Sequence, residues 1–139
     1  VEDDTFEFII FDMERTFWEK TTILHKIANR DISKQFPPRY SRHYYDLYCM
    51  YNSEVRQRAY DNSELLERDV AFKKKFYYAK GAGYDTAAIG TMRLMPQKDD
   101  IDKLKNDYLH MHNMLYGEIP EFEDIISDIK KLEDEINNL

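Results

Sequence analysis

The chain contains very few residues that interrupt a helix. Glycine and proline account for only eight of its 139 residues, four of each. Glycine adds backbone freedom and proline removes a backbone donor, so both residues punctuate helical chains. Here they cluster at 37–38, 81–83, 90–96 and 117–120, and long segments of helical period lie between them. The sequence therefore predicts a mainly α-helical domain of about five to six helices.

The spacing of apolar residues locates these helices. It predicts long helices over 13–29, 40–52, 62–79, 99–116 and 120–139, with a short helix after Ser53. The last has the clearest apolar stripe, which we expect to pack into a core or onto a neighbour: Phe122, Ile125, Ile129, Leu132, Ile136 and Leu139. The exception is the segment 5–11 (TFEFIIF), whose β-branched and aromatic residues predict a short β-strand.

We interpret residues 1–139 as a single helical domain in four parts. These are a strand and linker (1–11), a set of helices (12–79), a loop (80–97) and a terminal helical hairpin (98–139). A lone strand has no partner in a helical chain, so we interpret it as part of a sheet in a missing neighbouring domain. A first residue that is Val rather than Met fits a piece of a longer protein.

Composition excludes several classes of protein. With 42% hydrophobic and 34% charged residues, the chain is too apolar to be disordered and too charged to be a membrane protein. No run approaches the roughly 18–20 apolar residues of a spanning helix. The acidic start lacks the pattern of a signal peptide, and the single Cys49 excludes an internal disulfide and a cysteine-based zinc site. We therefore expect a cytoplasmic protein with no membrane partner.

The net charge of −7 is unevenly distributed. Residues 1–14 carry −6, residues 15–45 carry +5, and residues 46–139 carry −6. The basic window could hold phosphates by focusing the electrostatic potential, or its bases could simply pair with the acidic flanks. The three lysines at 73–75 are expected to form a solvated helix face.

Two charged residues in or beside this window stand out. Lys20 falls in a row with Phe17 and Leu24 at the edge of an apolar stripe, where a lysine either reaches water or meets an anion. Asp46 is flanked by tyrosines and lies four residues after Arg42, in pairing position on a helix. One interpretation is a structural ion pair, Lys20–Asp46 or Arg42–Asp46; the other is a catalytic or ligand-binding pair. The histidines lack metal-ligand spacing, so no metal site is predicted.

Two segments around these residues are similar to a known family. Residues 15–20 (RTFWEK) and 39–47 (RYSRHYYDL) closely resemble the nucleotidyltransferase AbiEii/AbiGii toxin family. Supporting likeness continues at 90–96 (GTMRLMP), at Asp107 and the residues after it, and at Asn137. The resemblance covers essentially the whole chain.

The resemblance implies the C-terminal portion of a nucleotidyltransferase related to DNA polymerase β, with a helical C-terminal domain. Such bacterial proteins act as toxins of type IV toxin–antitoxin pairs or in abortive infection against phage. They use a nucleoside triphosphate (NTP) and a divalent metal such as Mg²⁺, and some modify tRNA. Lys20 resembles the family's catalytic lysine, which would contact the triphosphate. Asp46 resembles its later aspartate, which would assist at the reacting centre or position Lys20. Arg15, Arg42 and His43 would add phosphate contacts.

The sequence departs from the family at the metal-binding carboxylates. Residues 100–102 spell Asp-x-Asp but lie in a predicted C-terminal helix, so we reject them as that pair. Phosphoryl transfer depends on such metal ions, so we expect a missing N-terminal catalytic domain to supply them, and no transfer by this chain alone. The expected partners are NTP, tRNA and a cognate antitoxin. Two alternatives are a non-catalytic helical module that binds the antitoxin or itself, and a stand-alone nucleotide-binding domain.

Overall fold

The computed structural model describes residues 2–31, 33, 36–77, 83–115 and 117–139. The helices of these residues are α1 (Glu2–Ala28), α2 (Ser41–Tyr51), α3 (Val55–Asp61), α4 (Glu64–Phe76), α5 (Lys98–His110) and α6 (Phe122–Asn137). Two 3₁₀ turns, Tyr84–Thr86 and His112–Met114, complete the regular structure of this part of the chain. The predicted mainly helical class is confirmed. Residues 78–82 and 116 lie outside the described residues. The ends of the helices predicted over 62–79 and 99–116, and the start of the loop predicted over 80–97, fall on them.

The predicted strand at 5–11 is wrong, because these residues belong to α1. Their β-branched and aromatic composition is only a weak preference that context overrides. Phe6, Ile10, Met13 and Phe17 step by four, three and four positions, which continues the helical period of α1. The acids at positions 2–4 also favour a helix start, since anions stabilise a helix N-terminus.

Helices α1 and α2 organise the core. Helix α1 packs against α2, α3 and α4, while α2 also packs against α5 and α6. Phe17 and Trp18 of α1 are completely buried, with their rings edge-to-face at 5.2 Å. The indole Nε1 of Trp18 donates a hydrogen bond of 2.9 Å to the carbonyl of Ala59 in α3. This bond fixes the rotation of α1, and therefore which of its residues face outward.

The C-terminal helix covers the other side of α2. Its buried residues are five of the six in the predicted stripe: Phe122, Ile125, Ile129, Leu132 and Ile136. The sixth, Leu139, lies beyond the end of α6 and is 49% exposed. Tyr108 of α5 also lies in this region, and its hydroxyl donates a hydrogen bond of 2.5 Å to the Pro120 carbonyl. The predicted division of the chain into four parts stays a prediction.

A buried ion pair joins the end of α1 to the start of α5. Arg30 forms two bonds with Asp100, Nη2 to Oδ1 at 2.5 Å and Nε to Oδ2 at 3.0 Å. Asp100 is completely buried, so the paired guanidinium offsets the cost of removing its charge from water. Asp100 is thereby committed to a structural bond.

Side chains of α1 and α6 hold the irregular segment 83–97 against the helices, and they include Asn137, His25 and Glu133. The Asn137 side-chain oxygen accepts from the backbone N–H groups of Gly90 (3.0 Å) and Met92 (2.9 Å), and its amide donates to the Met92 carbonyl (2.9 Å). From α1, the His25 Nδ1 accepts from the N–H of Arg93 at 3.0 Å. Asn137, which carries part of the family resemblance, therefore has a structural role here.

His25 is held in its neutral form. Burial is the main cause that lowers the pKa of His25 below its ordinary 6.5, and the hydrogen bond with Gly83 only partly offsets it. Because Nδ1 accepts a bond, the ring proton sits on Nε2, which lies 2.8 Å from the Gly83 carbonyl. Protonation would require loss of the bond from Arg93.

None of the helices in the described part of the chain combines the length and apolar character that crossing a bilayer requires.

Candidate active site

Three of the residues singled out from the sequence meet between α1 and α2. The Nζ of Lys20 lies 3.2 Å from Oδ2 of Asp46 and 2.9 Å from Nδ1 of His43. His43 and Asp46 are three residues apart on α2, so they share the face that packs near α1. The lysine ammonium therefore bridges a carboxylate and an imidazole.

The protonation states follow from these contacts. An ammonium group has only donors, so Nδ1 of His43 accepts from Lys20 and the ring proton sits on Nε2. Burial, followed by the charge of Lys20, lowers the pKa of His43 below 6.5. A neutral His43 thus holds the ammonium of Lys20 without repelling it. The side chains of Lys20 and Asp46 are 19% and 25% exposed, so solvent and small ligands can reach the pair.

Arg42 adds a second cation to Asp46. Its Nε lies 3.8 Å from Oδ1 of Asp46, across one helical turn, and its side chain is half-exposed. Both ion pairs considered from the sequence are therefore present at once. Asp46 stands between two bases, one from each helix, and holds the Lys20 head group near α2.

A groove of about 860 Å³ opens beside this cluster, between α1 and α4. Arg15 and His43 both line it. The groove therefore runs from His43, which contacts Lys20, to Arg15, which lies about one and a half turns before Lys20 on α1. The full set of charged lining residues carries more bases than acids: Arg15, Lys26, Arg68 and Lys73 against Glu19 and Asp69. The groove is therefore positive and suited to an anion.

A three-residue network crosses the floor of the groove. The Thr22 hydroxyl donates to Oδ2 of Asp69 at 2.8 Å and accepts from Nζ of Lys73 at 2.5 Å. Lys73 also lies 3.4 Å from Asp69. This network ties α4 to α1 and neutralises Lys73, so the predicted solvated face at 73–75 does not describe this lysine.

Sequence reasoning missed the residue that anchors α2. Asp107 of α5 accepts hydrogen bonds from the backbone N–H groups of Arg39 and Ser41, both at 3.0 Å, and from the Ser41 hydroxyl. These donors belong to the first turn of α2 or precede it, where N–H groups have no partner within the helix. Arg39 has a left-handed φ of 64°, which turns the chain into this contact. The distant carboxylate replaces a local capping side chain, and a pattern search within α2 could not find it.

The described residues do not fit the divalent metal that the family resemblance implies. Among them, no group of three or more His, Cys, Asp or Glu side chains could hold a metal ion. Asp100 is bonded to Arg30, while Asp102 is exposed on α5.

The comparison with known protein families gives the class of protein to which this chain belongs. The family model described as "Nucleotidyl transferase AbiEii toxin, Type IV TA system" matches residues 1–128, from α1 into α6. The chain therefore belongs to the AbiEii nucleotidyl transferase toxin family of type IV toxin–antitoxin systems. No curated protein and no solved structure matches it significantly. The family's description as a toxin–antitoxin system makes an antitoxin a candidate partner.

Proposed function

We propose that this chain contributes Lys20 and Asp46 to a composite site that transfers a nucleotide from an NTP to an acceptor, with tRNA as one candidate acceptor. The contact of Lys20 with Asp46 beside the positive groove carries the proposal. In such a transfer, an acceptor oxygen forms a bond to the α-phosphorus of the NTP. The bond from that phosphorus to the bridging oxygen breaks, and pyrophosphate leaves.

The geometry supports a triphosphate contact for Lys20. A lysine ammonium has three N–H donors. His43 accepts from one of them and Asp46 lies 3.2 Å away as the ion-pair partner, so at least one donor remains for a phosphate oxygen. Since both partners hold the head group in place, little side-chain entropy is lost when phosphate binds. In this proposal Arg15 and Arg42 add charge around the same phosphates, and Asp46 positions Lys20.

The proposal needs a metal-binding segment beyond the described residues. We expect Mg²⁺ to bind carboxylates of an N-terminal catalytic domain, where it would neutralise the phosphate charge. The residues of this chain bind and orient the triphosphate, and we expect the fragment alone to be inactive. We place this reaction in the cytoplasm, as part of toxicity or of abortive infection.

Substitution in the complete protein tests the proposal. Lys20→Ala and Asp46→Asn should each lower transfer of labelled nucleotide by at least about 100-fold, the usual cost of losing one such group in a transition state. Lys105→Ala is the matched control, because Lys105 also pairs with an acid, Glu123 at 2.5 Å, but on exposed α5–α6 surface. Growth inhibition should follow transfer. Wild-type transfer by the Lys20 and Asp46 variants would refute the assignment.

The alternative is a non-catalytic interaction module. Three exposed apolar side chains near the α5–α6 connection favour it, Leu109, Met114 and Ile119 at 51%, 63% and 37% exposure. Titration with NTP and Mg²⁺ separates the two functions. Nucleotide binding that disappears in Lys20→Ala supports the transfer site. No binding, together with dimers or antitoxin complexes that Leu109→Ser weakens, supports the module.

A further inference from the structure

Helix α4 ends in a cluster of exposed aromatic rings. Phe72, Phe76 and Tyr77 are 52%, 59% and 65% exposed. The ring of Phe72 lies 4.9 Å from that of Phe76 and 5.8 Å from that of Tyr77. Phe72 and Tyr77 also line the groove. Three large aromatic side chains gathered in water are unusual on a protein surface, and such patches often mark a binding site.

The side chains of two cations that line the groove have no partner among the described residues. Lys26 of α1 and Arg68 of α4 line it, and the side chain of neither forms a hydrogen bond or ion pair with another residue that the structure describes. The neighbouring lysines differ, because Lys73 is paired with Asp69 and Lys74 Nζ lies 3.1 Å from Asp85. Lys26 and Arg68 are therefore available to bind an anion.

We propose that the groove between α1 and α4 binds a single-stranded polynucleotide, with phosphates on Lys26 and Arg68 and a base stacked on Phe72. A positive groove with aromatic rings at its edge suits an unpaired strand, since phosphates recur along it and every base has a flat π-face. A duplex hides those faces by its own stacking. The inference rests on the proposed function, because it assigns the acceptor strand to the groove that leads to Lys20.

The exposed aromatic rings beside the cations favour a nucleic acid over an acidic peptide. The bound strand matches both the cations in the groove and the aromatic rings at its edge. A peptide would need apolar side chains for the rings, and any apolar replacement would then serve as well as phenylalanine. Phe72→Leu therefore separates stacking from simple hydrophobic contact.

Fluorescence anisotropy with this chain and a labelled 12-nucleotide single-stranded RNA tests the proposal. Phe72→Ala should weaken binding by about 5- to 150-fold, the usual effect of removing one stacking ring. Phe72→Leu should be nearly as weak, while Phe72→Trp should bind as wild type or tighter. Arg68→Gln should reduce the slope of log K against log salt by about 0.7, one phosphate contact on a single strand. Leu139→Ala is the matched control, because Leu139 is 49% exposed, does not line the groove and should leave binding unchanged.

Three outcomes would overturn the proposal. They are absence of RNA binding, equal binding of the same RNA as a duplex, and wild-type binding by Phe72→Leu. The side chains of Arg68, Phe72 and Leu139 are exposed, so circular dichroism should show the wild-type fold in these variants. Lys20→Ala separates this inference from the proposed function. If Lys20→Ala still binds RNA and the complete protein with this substitution still transfers nucleotide, only the catalytic assignment is refuted. If Lys20→Ala abolishes transfer but the wild-type chain does not bind RNA, only the groove proposal is refuted.

Discussion

Replacing Asp107 by alanine removes the carboxylate that holds the first turn of α2. The bond to the Arg39 N–H is exposed, so water can replace it at little cost. Ser41 is completely buried, and its N–H would lose its acceptor, which costs about 1–3 kcal/mol. Loss of the anion from the helix N-terminus adds about 0.3–1 kcal/mol. We therefore expect Asp107→Ala to lower the free energy of unfolding by roughly 1.5–4 kcal/mol.

Urea unfolding followed by circular dichroism measures this loss. With a slope of about 2 kcal/mol/M, the midpoint should fall by roughly 1–2 M. Asp102→Ala is the matched control, because Asp102 lies on the same helix but is exposed and has no hydrogen bond to another described residue. Asp107→Asn keeps one acceptor oxygen and should fall between wild type and alanine. Equal midpoints for Asp107→Ala and Asp102→Ala would show that α2 does not depend on this anchor.

Three further perturbations test other parts of the fold. The pKa of His25 in the folded protein is below its ordinary 6.5, so near that pH the folded protein binds fewer protons than the unfolded chain. The contribution of neutral His25 to the free energy of unfolding is therefore complete above pH 6.5 and is lost as the pH falls below 6.5. Urea unfolding between pH 7.5 and 5 should show this loss, and an equally steep loss in His25→Gln would contradict it. Arg30→Met should cost about 3–5 kcal/mol by leaving Asp100 buried and unpaired, and the double variant with Asp100→Asn should recover part of this loss. Asn137→Ala should speed hydrogen exchange at the backbone amides of Gly90 and Met92, which donate to the Asn137 side chain, while Asn138→Ala should not. Equal exchange rates in the two variants would show that Asn137 does not hold this segment.

Local patterns predicted α6 well and the start of α1 poorly. The stripe from Phe122 to Ile136 repeats at the helical period, and its residues are buried as expected. Residues 5–11 mix the two signals, since their composition favours a strand while the spacing of Phe6 and Ile10 favours a helix. The helical period is the stronger guide here, because a lone strand would leave its backbone groups without partners.

The candidate site also contains one part that the sequence predicted and one part that it did not. Lys20 and Asp46 were paired from their local surroundings, and the structure brings their side chains to 3.2 Å. Their catalytic role stays a prediction. The groove could not be predicted, because it forms only when α4 packs across α1. One signal was available, since Phe72 and Phe76 lie one turn apart and off the apolar stripe of α4.

The single tryptophan makes this protein its own optical probe. Trp18 is sealed from water and bonded to α3, two positions before Lys20 on the same helix. Acrylamide should therefore quench its emission weakly in the folded state, and unfolding should shift that emission to longer wavelength. Because Trp18 does not line the groove, a spectral change on adding nucleotide would report movement of α1 against α3, rather than direct contact with the ligand.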